Sequence, residues 1–163
     1  MDVLKEKEQK ILIENIGVSI EDRLRLSPLA SRIYALLILS SYEGITFDEI
    51  REAIKASKSS ISVNINVLIQ LGYISFLTKS GDRKRYFKIA KYSTIISLET
   101  YLHEIDSEKL MLEKINAFNK KYHPEKFINK KSLGVIYEEY LLKKEKLVAE
   151  TIQKMTNFQD SET

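Results

Sequence analysis

The sequence predicts a mainly α-helical chain that carries a small antiparallel β-wing of two or three strands, and three observations predict it. Apolar residues recur at helical spacing along most of the 163 positions, only five Gly and two Pro interrupt them, and aromatic and β-branched residues concentrate in two short runs around Gly81-Asp82. With 44% hydrophobic and 30% charged residues, the composition is that of a soluble globular chain.

The first predicted element runs from about Val3 to Leu24, where Leu4, Leu12, Ile16, Ile20 and Leu24 fall at multiples of four and Ile11 and Ile13 widen the stripe. Gly17-Val18 predicts a break or kink in its middle. Ser27-Pro28 reads as an N-cap followed by proline at the first helical position, opening a helix through Ile33, Leu36 and Leu37 to about Ser40. Ile38 and Leu39 make it apolar on more than one side, so it is expected to be central.

Glu43-Gly44 breaks that helix. Thr46-Phe47-Asp48-Glu49 has the form of a capping box and predicts a short helix from Phe47 to Ile54. Another helix is expected after Ser57, through Ile61, Ile65 and Leu68, ending at Gly72. Residues 73–78 and 85–89 then read as two strands around a Gly-Asp turn. Beyond Tyr92, Ile95, Leu98, Leu102 and Ile105 begin a helical seam that continues to Tyr122, where His123-Pro124 ends it. A last helix is predicted from about Ser132 to Thr156, followed by a polar, frayed tail over 159–163.

Short helix, tight turn, second helix and basic hairpin, in that order, make a winged helix-turn-helix. The expected organisation is an N-terminal dimerisation helix (1–26), a DNA-binding winged helix-turn-helix (27–91) and a C-terminal helical dimerisation region (92–163). Charge supports the middle assignment. Between Lys55 and Lys91 eight basic residues face the single acid Asp82, a net +7, so the rest of this +3 chain carries −4.

Each part has a physical role in gripping double-stranded DNA. A recognition helix over 57–71 whose core face is Ile61, Ile65 and Leu68 turns Ser59, Ser60, Ser62, Val63 and Asn66 outward, where small polar side chains can enter a major groove. Ser57, Lys58, Ser59 and Ser60 stand at the helix start, where backbone N–H groups favour phosphate. Val63 and Val67 can contact thymine methyls or pack on neighbouring elements. In the wing (73–90), Lys79, Arg83, Lys84 and Arg85 can reach flanking phosphates or a minor groove, and Asp82 is expected to hold Arg83 or the turn rather than face DNA.

Other chemistries find little support. The chain has no Cys, which removes disulfides, thiolate metal sites and Cys nucleophiles, and its two His lie 20 residues apart outside any metal-binding spacing. No Gly-rich phosphate loop, paired acidic motif or Ser-His arrangement points to an enzyme, and no cofactor or metal is expected. No apolar run approaches the ~20 residues that span a bilayer, and the polar start lacks the plan of a secretory signal, so a cytoplasmic chain is expected. Tyr34, Tyr101, Tyr137 and Tyr140 allow two readings: aromatic packing in a dimer core, or the wall of an effector pocket for a small-molecule cation of unidentified structure. The alternative to DNA binding is a winged helix that contacts protein, which the basic and hydroxyl-rich outer surface disfavours.

The stretch Leu26-Ser27-Pro28-Leu29-Ala30-Ser31-Arg32-Ile33-Tyr34-Ala35-Leu36-Leu37 resembles the GbsR branch of the MarR family. Ser57-Lys58-Ser59-Ser60-Ile61-Ser62, Leu68-Ile69-Gln70-Leu71-Gly72-Tyr73-Ile74 and Gly81-Asp82-Arg83-Lys84 extend the resemblance, which covers about 25–90. It implies a homodimeric, repressor-like regulator with intertwined terminal helices and one recognition helix per half-site. It further implies DNA contacts from Lys58, Ser59, Ser60, Ser62 and Arg83, and from Arg32 to the DNA backbone. Some members of that family sense small molecules such as choline. Chain size independently favours a dimer, because a module this small cannot cover the apolar stripes of three long helices.

Overall fold

The structure, a computed structural model, describes residues 2–161. Among the described residues six α-helices and three short strands follow one another as α1 (Asp2–Leu24), α2 (Pro28–Ile38), β1 (Ile45–Thr46), α3 (Phe47–Ile54), α4 (Lys58–Gln70), β2 (Ile74–Thr78), β3 (Arg85–Ile89), α5 (Ser93–Tyr122) and α6 (Leu133–Ser161). They form two compact units, residues 1–93 and 94–163. The predicted mainly helical fold with a small antiparallel sheet is the one observed.

In the first unit α2 is the hub. Seven of its eleven residues are buried, among them Ile33, Tyr34, Leu36 and Leu37, consistent with its apolar residues on several sides. Its start is fixed as the Ser27-Pro28 pair dictates: Ser27 caps it by accepting the Ala30 N–H, and Pro28 stands at the first turn. Ile50 of α3 and Ile61, Ile65 and Leu68 of α4 complete the core with at most 3% exposure. Truncating one of these to Ala would cost ~2–5 kcal/mol.

The capping box at α3 is complete. The Thr46 hydroxyl accepts the Glu49 N–H, while the Glu49 carboxylate accepts the Thr46 N–H and hydroxyl. These bonds hold the Glu49 carboxyl below the ordinary carboxylate range. Lys55, in the left-handed conformation at φ +57°, makes the tight turn into α4.

The sheet has the order β1-β3-β2, all antiparallel, with Phe76 opposite Phe87 and Ile45 opposite Phe87 on the other edge. The two-residue β1 is too short for period-two alternation to reveal it. Gly44, at φ +79°, lets the chain press onto β3: a Cβ there would meet the Phe87 carbonyl oxygen at 2.8 Å.

Two helical expectations need correction. No break occurs at Gly17; α1 is continuous because this buried glycine faces α2, where a Cβ would come within 3.1 Å of the Arg32 Cγ. With Ile13 and Ile20, both buried, it forms the face of α1 that packs on α2, so tertiary packing outweighs the low helix propensity of glycine. α6 likewise runs five residues beyond Thr156, and Gln159–Ser161 are helical rather than frayed; Glu162 and Thr163 lie outside the described residues.

The second unit holds most of α5 and all of α6, joined through a short 3-10 turn at Pro124–Lys126. The Lys109 ammonium pairs with Glu145 at 2.5 Å, the Asn116 amide donates to Glu138 at 2.9 Å, and the Tyr137 hydroxyl donates to Glu108 at 2.7 Å. These bridges tie the two helices together antiparallel. Leu141 and Val148 are buried, whereas Leu110, Met111, Phe118, Leu133 and Leu147 are each more than half exposed within the chain. Among the described residues no helix is long and apolar enough to cross a membrane.

Candidate nucleic-acid interface

α4 presents two sharply different faces. Ile61, Ile65 and Leu68 point into the core, while Ser59, Ser62, Val63 and Asn66 form an exposed stripe at i, i+3, i+4 and i+7. Val63 is 61% exposed, so most of its isopropyl group faces solvent within this chain. An apolar side chain held in solvent between small polar ones can meet thymine methyls without obstructing entry into a groove.

The start of α4 is a cluster of hydroxyls. Ser57 is the N-cap: its Oγ accepts the Ser60 N–H at 3.1 Å and lies 3.1 Å from Ser59 Oγ and 2.8 Å from Ser60 Oγ. Its carbonyl takes the Ile61 N–H, which leaves the first-turn N–H groups of Lys58 and Ser59 outside the intrahelical bonds. Lys58 is exposed beside them. Such a helix start attracts phosphate oxygens.

The wing is built around Asp82. Its carboxylate accepts the Lys84 N–H at 2.9 Å and the Tyr86 hydroxyl at 2.6 Å, and its own N–H bonds the Lys79 carbonyl. The Tyr86 hydroxyl, then the Lys84 N–H, hold the Asp82 carboxyl below its ordinary range. Asp82 therefore holds the turn, as expected, but through Tyr86 and Lys84 rather than Arg83. Gly81, at φ +79° with open space around it, completes the bend.

Lys79, Arg83, Lys84 and Arg85, the basic wing residues expected to reach DNA, divide into two pairs. Lys79 is ion-paired with Glu43 at 3.1 Å and lies over the Tyr86 ring at 4.3 Å, and the Arg85 guanidinium stacks over Phe76 at 4.6 Å. Arg83 and Lys84 are exposed at the tip, and no ion pair among the described residues engages either. Arg32 is committed elsewhere: its guanidinium holds Glu14 of α1 through Nε at 2.8 and 3.0 Å and through a terminal nitrogen at 2.7 Å, and also donates to the Pro28 carbonyl. The Glu14 hydrogen bond raises the Arg32 pKa further, so this clamp stays charged. Sequence reading missed that partner because Glu14 lies 18 positions away on another helix.

The four tyrosines are distributed between the units. Tyr34 is buried in the first unit against Tyr73, ring centroids 5.3 Å apart, and burial raises its pKa. Tyr101, Tyr137 and Tyr140 belong to the second unit. There the Lys144 ammonium lies 4.8 Å from the Tyr101 ring and 5.5 Å from that of Tyr140, which stacks on Tyr137. The chain's own cation thus occupies that aromatic site. A separate cavity of about 460 Å³ between the end of α5 and the start of α6 is lined by Asn116, Phe127, Val135 and Glu138 among others, and by none of the four tyrosines.

Comparison with known proteins agrees with this geometry. Residues 31–90 match the family described as winged helix DNA-binding domain. The chain is 36% identical over 77 residues to the HTH-type transcriptional regulator MmpR5 of Mycobacterium tuberculosis, a match covering 47% of this chain and 46% of that protein. The chain therefore spans about half the length of the curated relative it matches. A solved structure described as a transcriptional regulator is similar with a TM-score of 0.51 at 21% identity, covering 94% of this chain and 97% of the other, a likeness of fold. Residues 31–90 thus have a winged helix fold and are similar to the winged helix DNA-binding domain family, in a chain similar over 77 residues to an HTH-type transcriptional regulator.

Proposed function

We propose that this protein is a sequence-specific transcriptional regulator that represses by binding a pseudo-palindromic operator in double-stranded DNA as a homodimer. The observation that carries the reading is the exposed stripe Ser59, Ser62, Val63 and Asn66, flanked at the helix start by Ser57, Lys58 and Ser60 and at the wing tip by the unpaired Arg83 and Lys84. The α4 stripe would read base edges; the helix start and wing tip would grip phosphates. Lys79 and Arg85, already engaged by Glu43 and Phe76, would brace the wing and add less to the grip. Arg32 would act chiefly as a clamp between α1 and α2.

The dimer is supported by the exposed apolar residues of the long helices, including Leu110, Met111, Phe118 and Leu133, which a second copy would cover. We assign residues 1–26 and 92–163 to that contact and 27–91 to DNA. A two-fold axis would set the recognition helices about 34 Å apart, one turn of DNA. A small-molecule effector acting at Tyr101, Tyr137 and Tyr140 would have to displace Lys144, which an organic cation could do.

Selection of bound duplexes from a randomised pool tests the reading. Enrichment of an inverted repeat with half-site centres ~10 base pairs apart is expected. Recovery of an unenriched pool would refute sequence-specific binding.

A further inference from the structure

We propose that Ser27 and Asn64 are positioning residues that set the roll of α4 about its own axis and thereby determine operator selectivity without touching DNA. The proposal rests on the DNA-binding reading above and adds two residues that reading does not use.

The two side chains form a strut between the N-cap of α2 and the middle of α4. The Ser27 hydroxyl donates to Asn64 Oδ1 at 2.6 Å while its oxygen accepts the Ala30 N–H at 3.1 Å. Asn64 Nδ2 donates to the Ser60 carbonyl at 2.8 Å. This assignment is forced by chemistry: the Ser60 carbonyl can only accept, so the amide nitrogen must face it, which leaves Oδ1 for the hydroxyl proton of Ser27. Both ends of the Asn64 amide are therefore committed within the chain.

Position explains why the strut matters. Asn64 lies on the flank of α4, half-buried between the core stripe of Ile61, Ile65 and Leu68 and the exposed stripe of Ser59, Ser62, Val63 and Asn66. The core contacts are aliphatic and non-directional, so they tolerate a small rotation of the helix. A two-point hydrogen bond does not. Side-chain tips stand ~5–6 Å from a helix axis, so a roll of about 10° carries them through ~1 Å. That displacement exceeds the ~0.5 Å within which a recognition contact must be held. The anchoring end is itself fixed, because Ser27 caps α2 and the Pro28 carbonyl beside it accepts from Arg32, which holds Glu14 of α1.

The test compares affinity for the selected operator with affinity for a scrambled duplex of equal length, using the full chain. Asn64→Ala is expected to lower the operator-to-scramble ratio about tenfold, the discrimination of one base-pair contact. Its affinity for scrambled DNA should stay within about twofold of wild type, because no phosphate contact is lost. Asn64→Leu, which keeps the shape and removes both hydrogen bonds, should behave alike and guards against a cavity effect. Ser27→Thr retains a hydroxyl and should restore the wild-type ratio, whereas Ser27→Ala should match Asn64→Ala. The double variant Ser27→Ala/Asn64→Ala should be no worse than either single one, since all three lose the same bond. A wild-type ratio preserved in both Asn64 variants, or equal losses on operator and scramble, would overturn the positioning role while leaving the DNA-binding reading intact. A wild-type chain without selectivity would overturn that reading first and this proposal with it.

Discussion

Removing the two unpaired wing-tip cations should change how binding depends on salt more than it changes anything else. Arg83 and Lys84 are exposed and engaged by no ion pair among the described residues, so Arg83→Ala/Lys84→Ala costs the fold nothing beyond a surface substitution, within ~0.5 kcal/mol. Each phosphate contact contributes about 0.9 to the slope of log affinity against log salt. Two contacts therefore contribute ~1.8. Between 50 and 200 mM salt, a fourfold change, the affinity of wild type should fall about 12-fold more than that of the variant. Lys79→Ala is the internal control: its ammonium is already shared with Glu43 and the Tyr86 ring, so its slope should change by less than one contact. Fluorescence anisotropy of a labelled duplex across salt concentrations measures all three. An unchanged slope in the tip variant, or a larger change in Lys79→Ala, would refute the assignment of the grip to the tip.

Four further outcomes are expected. Val63→Ala should weaken operator binding and leave the melting temperature within about a degree, since Val63 is mostly exposed; equal binding would mean that its exposure serves no base contact. Thr46→Ala should cost ~1 kcal/mol through loss of the α3 cap and lower the melting temperature by a few degrees. Glu49 fixes the sign of the acid response. Its folded pKa is depressed, so its stabilisation is present above the unfolded value of about 4.3 and is lost as pH falls through the folded value. Glu49→Gln should therefore melt with a shallower dependence on pH below about 4.5, and curves parallel to wild type would count against the capping box as its source. Met111→Glu/Phe118→Glu should raise the dimer dissociation constant ~100-fold, the effect of ~3 kcal/mol of buried charge, by sedimentation; an unchanged constant would place the dimer contact elsewhere.

What the sequence makes legible here is what local chemistry controls. Ser27-Pro28, Thr46 with Glu49, and Ser57 announce helix starts because capping needs residues only three positions apart, and each is observed. The outward stripe of α4 follows from the 3.6-residue period once its core face is known. Gly17 misleads because its contact is with Arg32 on another helix, and propensity knows nothing of that partner. The two-residue β1 is hidden for a related reason: its pairing with Phe87 and Tyr86 is a long-range event without local periodicity. Side-chain type alone likewise treats Lys79, Arg83, Lys84, Arg85 and Arg32 alike. Only the fold separates the ones held by Glu43, Phe76 and Glu14 from the ones left for a partner.

On the proposed function, α4 and the wing together distinguish one DNA sequence from others. The ratio of affinities for the selected duplex and a scrambled duplex, at about 150 mM salt, measures this most directly. We predict a ratio of ~10³ or more, with two chains bound per duplex. A ratio near one would contradict it.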